Sequence, residues 1–455
     1  MHKVVIVGAG PAGFAAAELL HVNGLIPTLV DEAATAGGQI YRRPAPDIEL
    51  DMRRLLGRGH RRYQRFHARA DHLLAQIDYR PQTTAWAIFA DRVWTLRDQI
   101  IEQVPFDALV LATGATDRSV PIPGWTLPGV VTLGGAQALL KGQGALIGRR
   151  VVFCGSSPLL YLAAKQFLAA GATVGAILDT TPFVAKVAAA PDLLRAPEAF
   201  ADGLKSMARV QGAGVPIHHG VRLESFEGDG EVSAVRYLDR KGRAKSVDCD
   251  AVAFGFGLKP EAQLADLAGV PFRYDPTFRQ WLPATDGDGR AGRRTYLAGD
   301  GCMIGGAQAA EVSGSLAAAA LLQDAGTPTH GIDRSALRRR LARLHRFQHG
   351  LSRAFTWPAG TLAGASDSLP ICRCESVTAG EIRRAVGSVL GPIDINRVKA
   401  LTRVGMGRCQ GRFCALPAAE LVAAAAARPL EAVGRLRGQA PVKPLPPTAR
   451  VLDRS

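Results

Sequence analysis

No apolar run in this sequence approaches the ~20 residues that a membrane-crossing helix needs, so no span is expected. There is no C-x-x-C either: Cys154, Cys249 and Cys302 stand far apart, which excludes a redox dithiol of sequence neighbours. Acidic residues are in deficit, 40 against 55 Lys and Arg, for a net charge of +15. The excess is mostly arginine, gathered in 53–69 and 334–353. Aromatic residues are only 6% of the chain and hardly interleave with those arginines. The basic stretches thus lack stacking platforms, and no nucleic-acid fold signature accompanies them. They read as solvated helix faces, or as a basic surface for an acidic partner. The residues after Lys3 imitate a signal peptide, but no cleavage-site pattern follows, and a cytoplasmic location is expected.

What is present begins at once. Val4-Val5-Ile6-Val7 is a β-forming run that enters Gly8-Ala9-Gly10-Pro11-Ala12-Gly13, with an Ala-rich helical stretch from Phe14. This is G-x-G-x-x-G in a strand–turn–helix setting. Gly8 allows the turn, Gly10 lets the backbone approach a pyrophosphate, and Gly13 lets helix and strand pack closely. The next strand closes on Asp31-Glu32, where an acid can bind ribose hydroxyls, favouring an adenosine with a free 2′-OH. Gly37-Gly38-Gln39 follows, with room to pass under a flat ring and an amide to bond it. A buried strand then ends in Ala112-Thr113-Gly114, and a later one in Gly299-Asp300 before an Ala-rich helix. The latter can set Asp300 and backbone N–H groups against a ribityl phosphate chain.

A second strand–turn–helix starts at Arg150, but Ser157 and Leu160 occupy its second and third glycine positions. A side chain at the second crowds a pyrophosphate, and Leu at the third pushes helix from strand. The fold is expected there, and NAD(P) binding is not. The predicted organisation is α/β: a discontinuous first unit (1–120 and 251–330), a second nucleotide-type unit (121–250), a basic helix and linker (331–370), a cysteine-bearing domain (371–430) and a Pro-rich tail (431–455). The basic helix and the tail are candidate docking surfaces.

Four of the seven cysteines fall in two close pairs, Cys372-Arg373-Cys374 and Cys409-Gln410-Gly411-Arg412-Phe413-Cys414. Thr378-Ala379-Gly380-Glu381 between them is a capping box, and Gly405-Met406-Gly407 precedes the second pair. Small residues let backbone N–H groups reach sulfur, and Arg373, Arg408 and Arg412 can offset thiolate charge. Four thiolates suit Zn²⁺ or a [2Fe–2S] cluster, and C-x-C is unusual spacing for zinc.

With Gly8/Gly10/Gly13, Asp31, Gly37-Gly38-Gln39, Ala112-Thr113-Gly114 and Gly299-Asp300 in this order, the first ~330 residues resemble the flavoprotein reductases of the glutathione- and thioredoxin-reductase type. That resemblance implies two interleaved Rossmann-like domains, with FAD on Gly8, Gly10, Pro11, Ala12, Gly13, Asp31, Glu32, Gly38, Gln39, Ala112, Thr113, Gly114, Gly299 and Asp300. Gly37-Gly38-Gln39-Ile40-Tyr41-Arg42 together with Cys372, Cys374, Cys409 and Cys414 looks like one subgroup. These are the alpha subunits of heteromeric FAD/[2Fe–2S] amine dehydrogenases and oxidases, such as opine oxidase, hydrogen cyanide synthase and D-hydroxyproline dehydrogenase. The last domain resembles bacterioferritin-associated ferredoxin, whose second pair is the shorter C-x₂-C. The resemblance implies a [2Fe–2S] cluster on the four cysteines and a beta subunit of the D-amino-acid-oxidase type that oxidises an amine. It leaves room for FMN at the interface with that partner and for a small ferredoxin-like subunit. It implies no acid or base on this chain acting on substrate, and none of the ten histidines stands in a recognisable catalytic constellation. Two other readings stay open on the residues alone: a free-standing NAD(P)H-dependent reductase, and a non-redox nucleotide scaffold with zinc.

Overall fold

The computed structural model describes residues 3–328, 332–388 and 391–452. Val4–Val7, β-branched throughout and buried on both faces, lies inside a six-stranded sheet. The strand order is Arg290–Gly292, Thr295–Leu297, Ala108–Leu111, Val4–Val7, Thr28–Val30, Asp78–Arg80. Neighbours are parallel except the first pair. Val7 pairs with Leu111 and with Val30, so three strands end together where Gly8, Ala112 and Asp31 follow. The first helix is Pro11–Val22, three residues earlier than predicted, because a proline at the first helical position gives up no hydrogen bond.

The second sheet is five-stranded and parallel: Ile217–His219, Thr173–Asp179, Arg150–Gly155, Ala251–Gly255, Val130–Thr132. This corrects the boundary placed at 250/251. Ala251–Gly255 pairs in register with Val151–Gly155, its buried apolar residues filling an interior place in the second sheet. The chain returns at Leu258–Pro260, which pairs antiparallel with the outgoing Ala115–Asp117. The two crossings therefore run side by side and meet next to Ala112-Thr113-Gly114. The meander predicted around residues 79–99 is Thr84–Phe89, Arg92–Arg97 and Ile100–Pro105.

Helix Arg334–Ala354 carries the basic stretch, but part of its charge is spent internally. Arg334 and Arg338 bond Asp288, and Arg353 reaches Asp192 at 3.0 Å. The linker after it is pinned as well: Trp357 lies under the Arg118 guanidinium at 4.0 Å, and its indole N–H donates to Glu420 at 2.6 Å.

The cysteine region has a short hairpin (Pro370–Cys372 with Val377–Thr378) and helices Ala379–Ser388, Ile395–Thr402 and Ala415–Ala425. The capping box forms in both directions: Thr378 N–H donates to Glu381 Oε2 (2.7 Å) and Glu381 N–H to Thr378 Oγ1 (3.4 Å). Ile371, Ile382 and Val398 share one hydrophobic core with Trp125 and Phe254 of the second unit, and the Trp125 indole donates to Pro370 O at 2.8 Å. The Pro-rich tail is stitched down rather than free. Val442 N–H donates to Trp86 O, Arg450–Val451 pairs beside Ile100–Ile101, and Lys443 bonds Glu32 at 2.8 Å.

Candidate functional site

The first glycine turn is fixed by contacts only glycine permits. Gly8 has φ +106°, and a Cβ there would lie 2.3 Å from Ala112 O. A Cβ on Gly13 would lie 1.8 Å from Gly8 O, so this glycine is what lets the helix sit on the strand. Gly10 differs. Its nearest neighbour would be Gly38 Cα at 3.7 Å, an ordinary contact. Gly10 and Gly38 thus meet backbone to backbone at the N-terminus of Pro11–Val22, where Pro11 and Ala12 form the first turn, and a Cβ on Gly38 would lie 3.1 Å from Gly10 Cα. This glycine-lined slot at a helix N-terminus suits a dinucleotide's phosphates.

Asp31 lies beside the slot and turns inward. Its Oδ2 accepts from Ala9 N–H (2.5 Å) and its Oδ1 from Ala33 N–H (2.7 Å). Burial raises its pKa. Glu32 is exposed and held by Lys443. Gln39 is also exposed. Its side chain accepts from Arg42 at 3.0 Å, and its carbonyl accepts from Lys141 at 3.3 Å. Burial, followed by the neighbouring Arg42 charge, pulls Lys141 down to about 8.

On the far side of the slot, Asp300 Oδ1 caps the amides of Gly305 (2.8 Å) and Gly306 (3.0 Å) ahead of helix Gly306–Asp324. Burial raises its pKa. Gly299 N–H donates to Ser313 Oγ at 3.0 Å, and Gly301 packs against Thr113. The residues expected to hold a dinucleotide therefore collect where the strands ending at Val7, Val30, Leu111 and Leu297 finish, with Glu32 and Gln39 exposed.

The second turn is built differently. Ser157 and Leu160 are buried, and Ser157 Oγ accepts from Leu159 N–H at 3.2 Å. Asp179, which ends the neighbouring strand as Asp31 does in the first unit, is fully buried and saturated. Its Oδ2 accepts from Tyr161 OH (2.6 Å) and Lys186 Nζ (2.8 Å), its Oδ1 from Thr181 N–H (2.9 Å), and His219 lies 3.7 Å away. Burial pushes the Asp179 carboxyl up, but the hydrogen bonds and the Lys186 charge outweigh it and hold the pKa below the usual carboxylate value.

The four C-terminal cysteines meet in two pairs. Cys372 shares a hydrogen bond with Cys414, and Cys374 with Cys409. The Cys414 bond, opposed by burial and helped by the amides of Gly405, Glu375 and Cys374, brings Cys372 down to about 6. Two sulfur pairs on neighbouring loops, with backbone N–H groups aimed at Cys372, are the donor set of a thiolate-held iron–sulfur centre, although among the described residues no three such side chains close round one point. A Cβ on Gly407 would lie 2.3 Å from Cys374 Cβ, which explains the small residue there.

Of the three arginines expected to offset thiolate charge, Arg373 and Arg408 are exposed. Arg412 is engaged with Glu261, Nε to Oε2 and Nη2 to Oε1, both at 2.8 Å. Lys259, on the returning crossover, is a cation that sequence reasoning missed; it faces Cys414 and Cys409 as well as Glu261 and Arg412. Glu261 was missed too. Its amide donates to Gly114 O (2.9 Å), and its carbonyl accepts from Thr113 Oγ1 (2.5 Å). Gly-Leu-Lys-Pro-Glu at 257–261 gave no signal beyond a turn; only the pairing of the crossovers brings it to both sites.

A pyridine nucleotide-disulphide oxidoreductase family model matches residues 2–314, and a BFD-like [2Fe-2S] binding domain model matches residues 370–424. The chain is 36% identical to the opine oxidase A subunit of Agrobacterium tumefaciens (strain Ach5), over 99% of this chain and 93% of that one. It is 33% identical to the hydrogen cyanide synthase subunit HcnB of Pseudomonas aeruginosa, over 98% and 97%. Among solved structures, L-proline dehydrogenase from P. horikoshii superposes with a TM-score of 0.72 at 20% identity, covering 98% of this chain and 78% of that one, a likeness of fold. The chain belongs to the pyridine nucleotide-disulphide oxidoreductase family, alongside the opine oxidase A and HcnB subunits, and is an FAD- and [2Fe–2S]-dependent oxidoreductase.

Proposed function

We propose that this chain is the electron-transfer alpha subunit of a heteromeric dehydrogenase or oxidase acting on an amino acid or secondary amine of the opine, D-hydroxyproline, sarcosine or glycine type. Flavin accepts electrons as a pair and a [2Fe–2S] centre passes them singly, which is the chemistry the bound groups supply. The chain's own residues hold and orient them. Gly8, Gly10, Pro11, Ala12, Gly13 and Gly38 give the pyrophosphate a glycine-lined slot. Asp31, with Glu32 at its rim, serves the adenosine ribose. Ala112, Thr113 and Gly114, with Gly299 and Asp300, line the path of the flavin's ribityl chain. Cys372, Cys374, Cys409 and Cys414 hold the cluster.

One observation carries this reading: two sites for redox groups are joined through Glu261, while Ser157 and Leu160 take two glycine positions of the second turn and its acid Asp179 is bonded by Tyr161 and Lys186. The reductant then comes from a partner. A D-amino-acid-oxidase-like beta subunit is the partner we assign, with FMN at the interface and a small ferredoxin-like protein as further components to look for. Among the described residues no helix is long and apolar enough to cross a membrane. Among the described residues no cysteine is paired in a disulfide, in keeping with a reducing, cytoplasmic setting.

The test is a visible spectrum of the chain, purified alone and with the products of neighbouring genes, before and after NADH and a panel of amines. Flavin and cluster bands that bleach with an amine only when a neighbour is present support the assignment and identify the substrate. Rapid bleaching of the isolated chain by NADH would make it a reductase in its own right. A colourless zinc protein would leave only the scaffold reading.

A further inference from the structure

Among the contacts of the cluster region with the first unit is a buried, bidentate ion pair. Arg412 lies inside the C-x₄-C loop, two residues before Cys414, with a side chain 14% exposed; Glu261, at 13%, follows the returning crossover. The two 2.8 Å bonds between them form a bidentate fork, the geometry that fixes orientation as well as charge. Each partner is anchored again on its own side. Arg412 Nη1 donates to Cys409 O (3.1 Å) and to Val442 O (2.8 Å), so it ties a cysteine's own backbone. Glu261 is bound by its main chain to Thr113 and Gly114. An unbroken chain of hydrogen bonds runs from the A-T-G turn to Cys409. The pair lines a cavity of about 150 Å³ between the two regions, which Lys259 and Gln410 also line.

We propose that Glu261 and Arg412 are a positioning pair that sets the reduction potential of the cluster, by holding the C-x₄-C loop against the nucleotide unit while cancelling the guanidinium charge beside it. The proposal rests on the assignment of the [2Fe–2S] centre to the four cysteines. The physical argument is charge balance. One-electron reduction adds a negative charge to the centre, so a bare cation nearby favours the reduced form and a bare anion disfavours it. Paired, Arg412 and Glu261 contribute little net field, and Lys259 and Lys399 are left as cations facing Cys414. Unpaired, each acts with its own sign.

Opposite signs make the test specific. In the holoprotein, followed by electron paramagnetic resonance during a redox titration, Glu261→Gln strands the guanidinium and is expected to raise the reduced-to-oxidised ratio at a fixed potential about tenfold, or 59 mV for one electron. Arg412→Gln strands the carboxylate and lowers the ratio by a similar factor. The double variant returns near the native potential, and Arg412→Lys, which keeps the charge but loses the fork, stays closer to native than Arg412→Gln. Shifts of the same sign in both single variants, or shifts below twofold with iron content unchanged, overturn the proposal. Loss of iron from both single variants also overturns it, by assigning the pair to folding alone. Absence of a [2Fe–2S] spectrum in the unmodified protein is a separate result and removes the cluster assignment instead.

Discussion

Gly8–Gly13 and Gly155–Leu160 stand at equivalent places in two parallel sheets. Both begin with a glycine at positive φ that touches the neighbouring strand: a Cβ on Gly8 would lie 2.3 Å from Ala112 O, and one on Gly155 would lie 2.0 Å from Gly255 O. The difference begins two residues later. In the first turn Gly10 and Gly38 meet without side chains, and Asp31 bonds only backbone amides. In the second, Ser157 and Leu160 are buried, Leu160 within the apolar core, and Tyr161 and Lys186 occupy the acid. A fold can keep a turn while its later glycines change, because the first glycine answers to the sheet and the later ones to helix packing and to a phosphate.

The largest expected effect tests the structural half of that statement. Gly13→Ala places a methyl group 1.8 Å from Gly8 O. It should cost above about 3 kcal/mol and leave little soluble flavoprotein, measured by chemical denaturation and by flavin content. Next is the acid of the second turn. Asp179→Asn leaves Lys186, whose side chain is 9% exposed, without its counter-charge, at a cost of about 3 kcal/mol near neutral pH.

The two acids should also differ in pH dependence. The Asp179 pKa is lowered in the folded state, so its contribution is present above the unfolded value of 3.8 and is lost as pH falls through the folded value. The Asp31 pKa is raised, so ionisation costs stability as pH climbs from 3.8 through the folded value. Denaturation of Asp179→Asn at and below pH 3.8, and of Asp31→Asn above it, should show slopes that differ from the parent in opposite directions. Equal slopes would mean the two sites are alike after all.

Gly10→Ala sharpens the comparison from the ligand's side. With its nearest contact at 3.7 Å, the apoprotein should melt close to the parent temperature while FAD affinity falls about tenfold, or 1.4 kcal/mol, by flavin titration. A stability loss matching that of Gly13→Ala would erase the distinction between sheet and phosphate positions. The smallest effect belongs to Ser157→Gly, within about 0.5 kcal/mol of the parent and with no gain in NADH-dependent bleaching, since Leu160 and the bonded Asp179 remain.

Much of this was readable from spacing. A glycine needed for close approach leaves a local mark, and the Gly8-to-Gly13 run carried it, as did the damaged run from Gly155. The cysteine pairs were equally plain, because ligands on short loops stay near in sequence. Other features depend on contacts that spacing does not carry. Ala251–Gly255 looks like any buried parallel strand, and nothing in Ala-Val-Ala-Phe-Gly says which of two sheets it completes. Gln39 was expected against a ring, and its bond with Arg42, three residues on, left no mark in the spacing. Arg412 was expected to offset thiolate charge; its partner Glu261 lies 151 residues away. Glu261, Lys259 and Lys443 matter through long-range pairing, which leaves no local pattern.

The discontinuity of the first sheet has a consequence during synthesis. Val4–Val7 emerges from the ribosome early, but Thr295–Leu297 beside Ala108–Leu111 comes some 290 residues later. At ~5–20 residues per second that is a wait of about 15–60 seconds. The second sheet, whose strands lie between residues 130 and 255, has its last strand about 40 residues before Thr295, or about 2–8 seconds at that rate. The nascent chain is therefore expected to hold a finished second unit while the first still waits for its missing strand, so flavin loading is a late event in the life of the molecule.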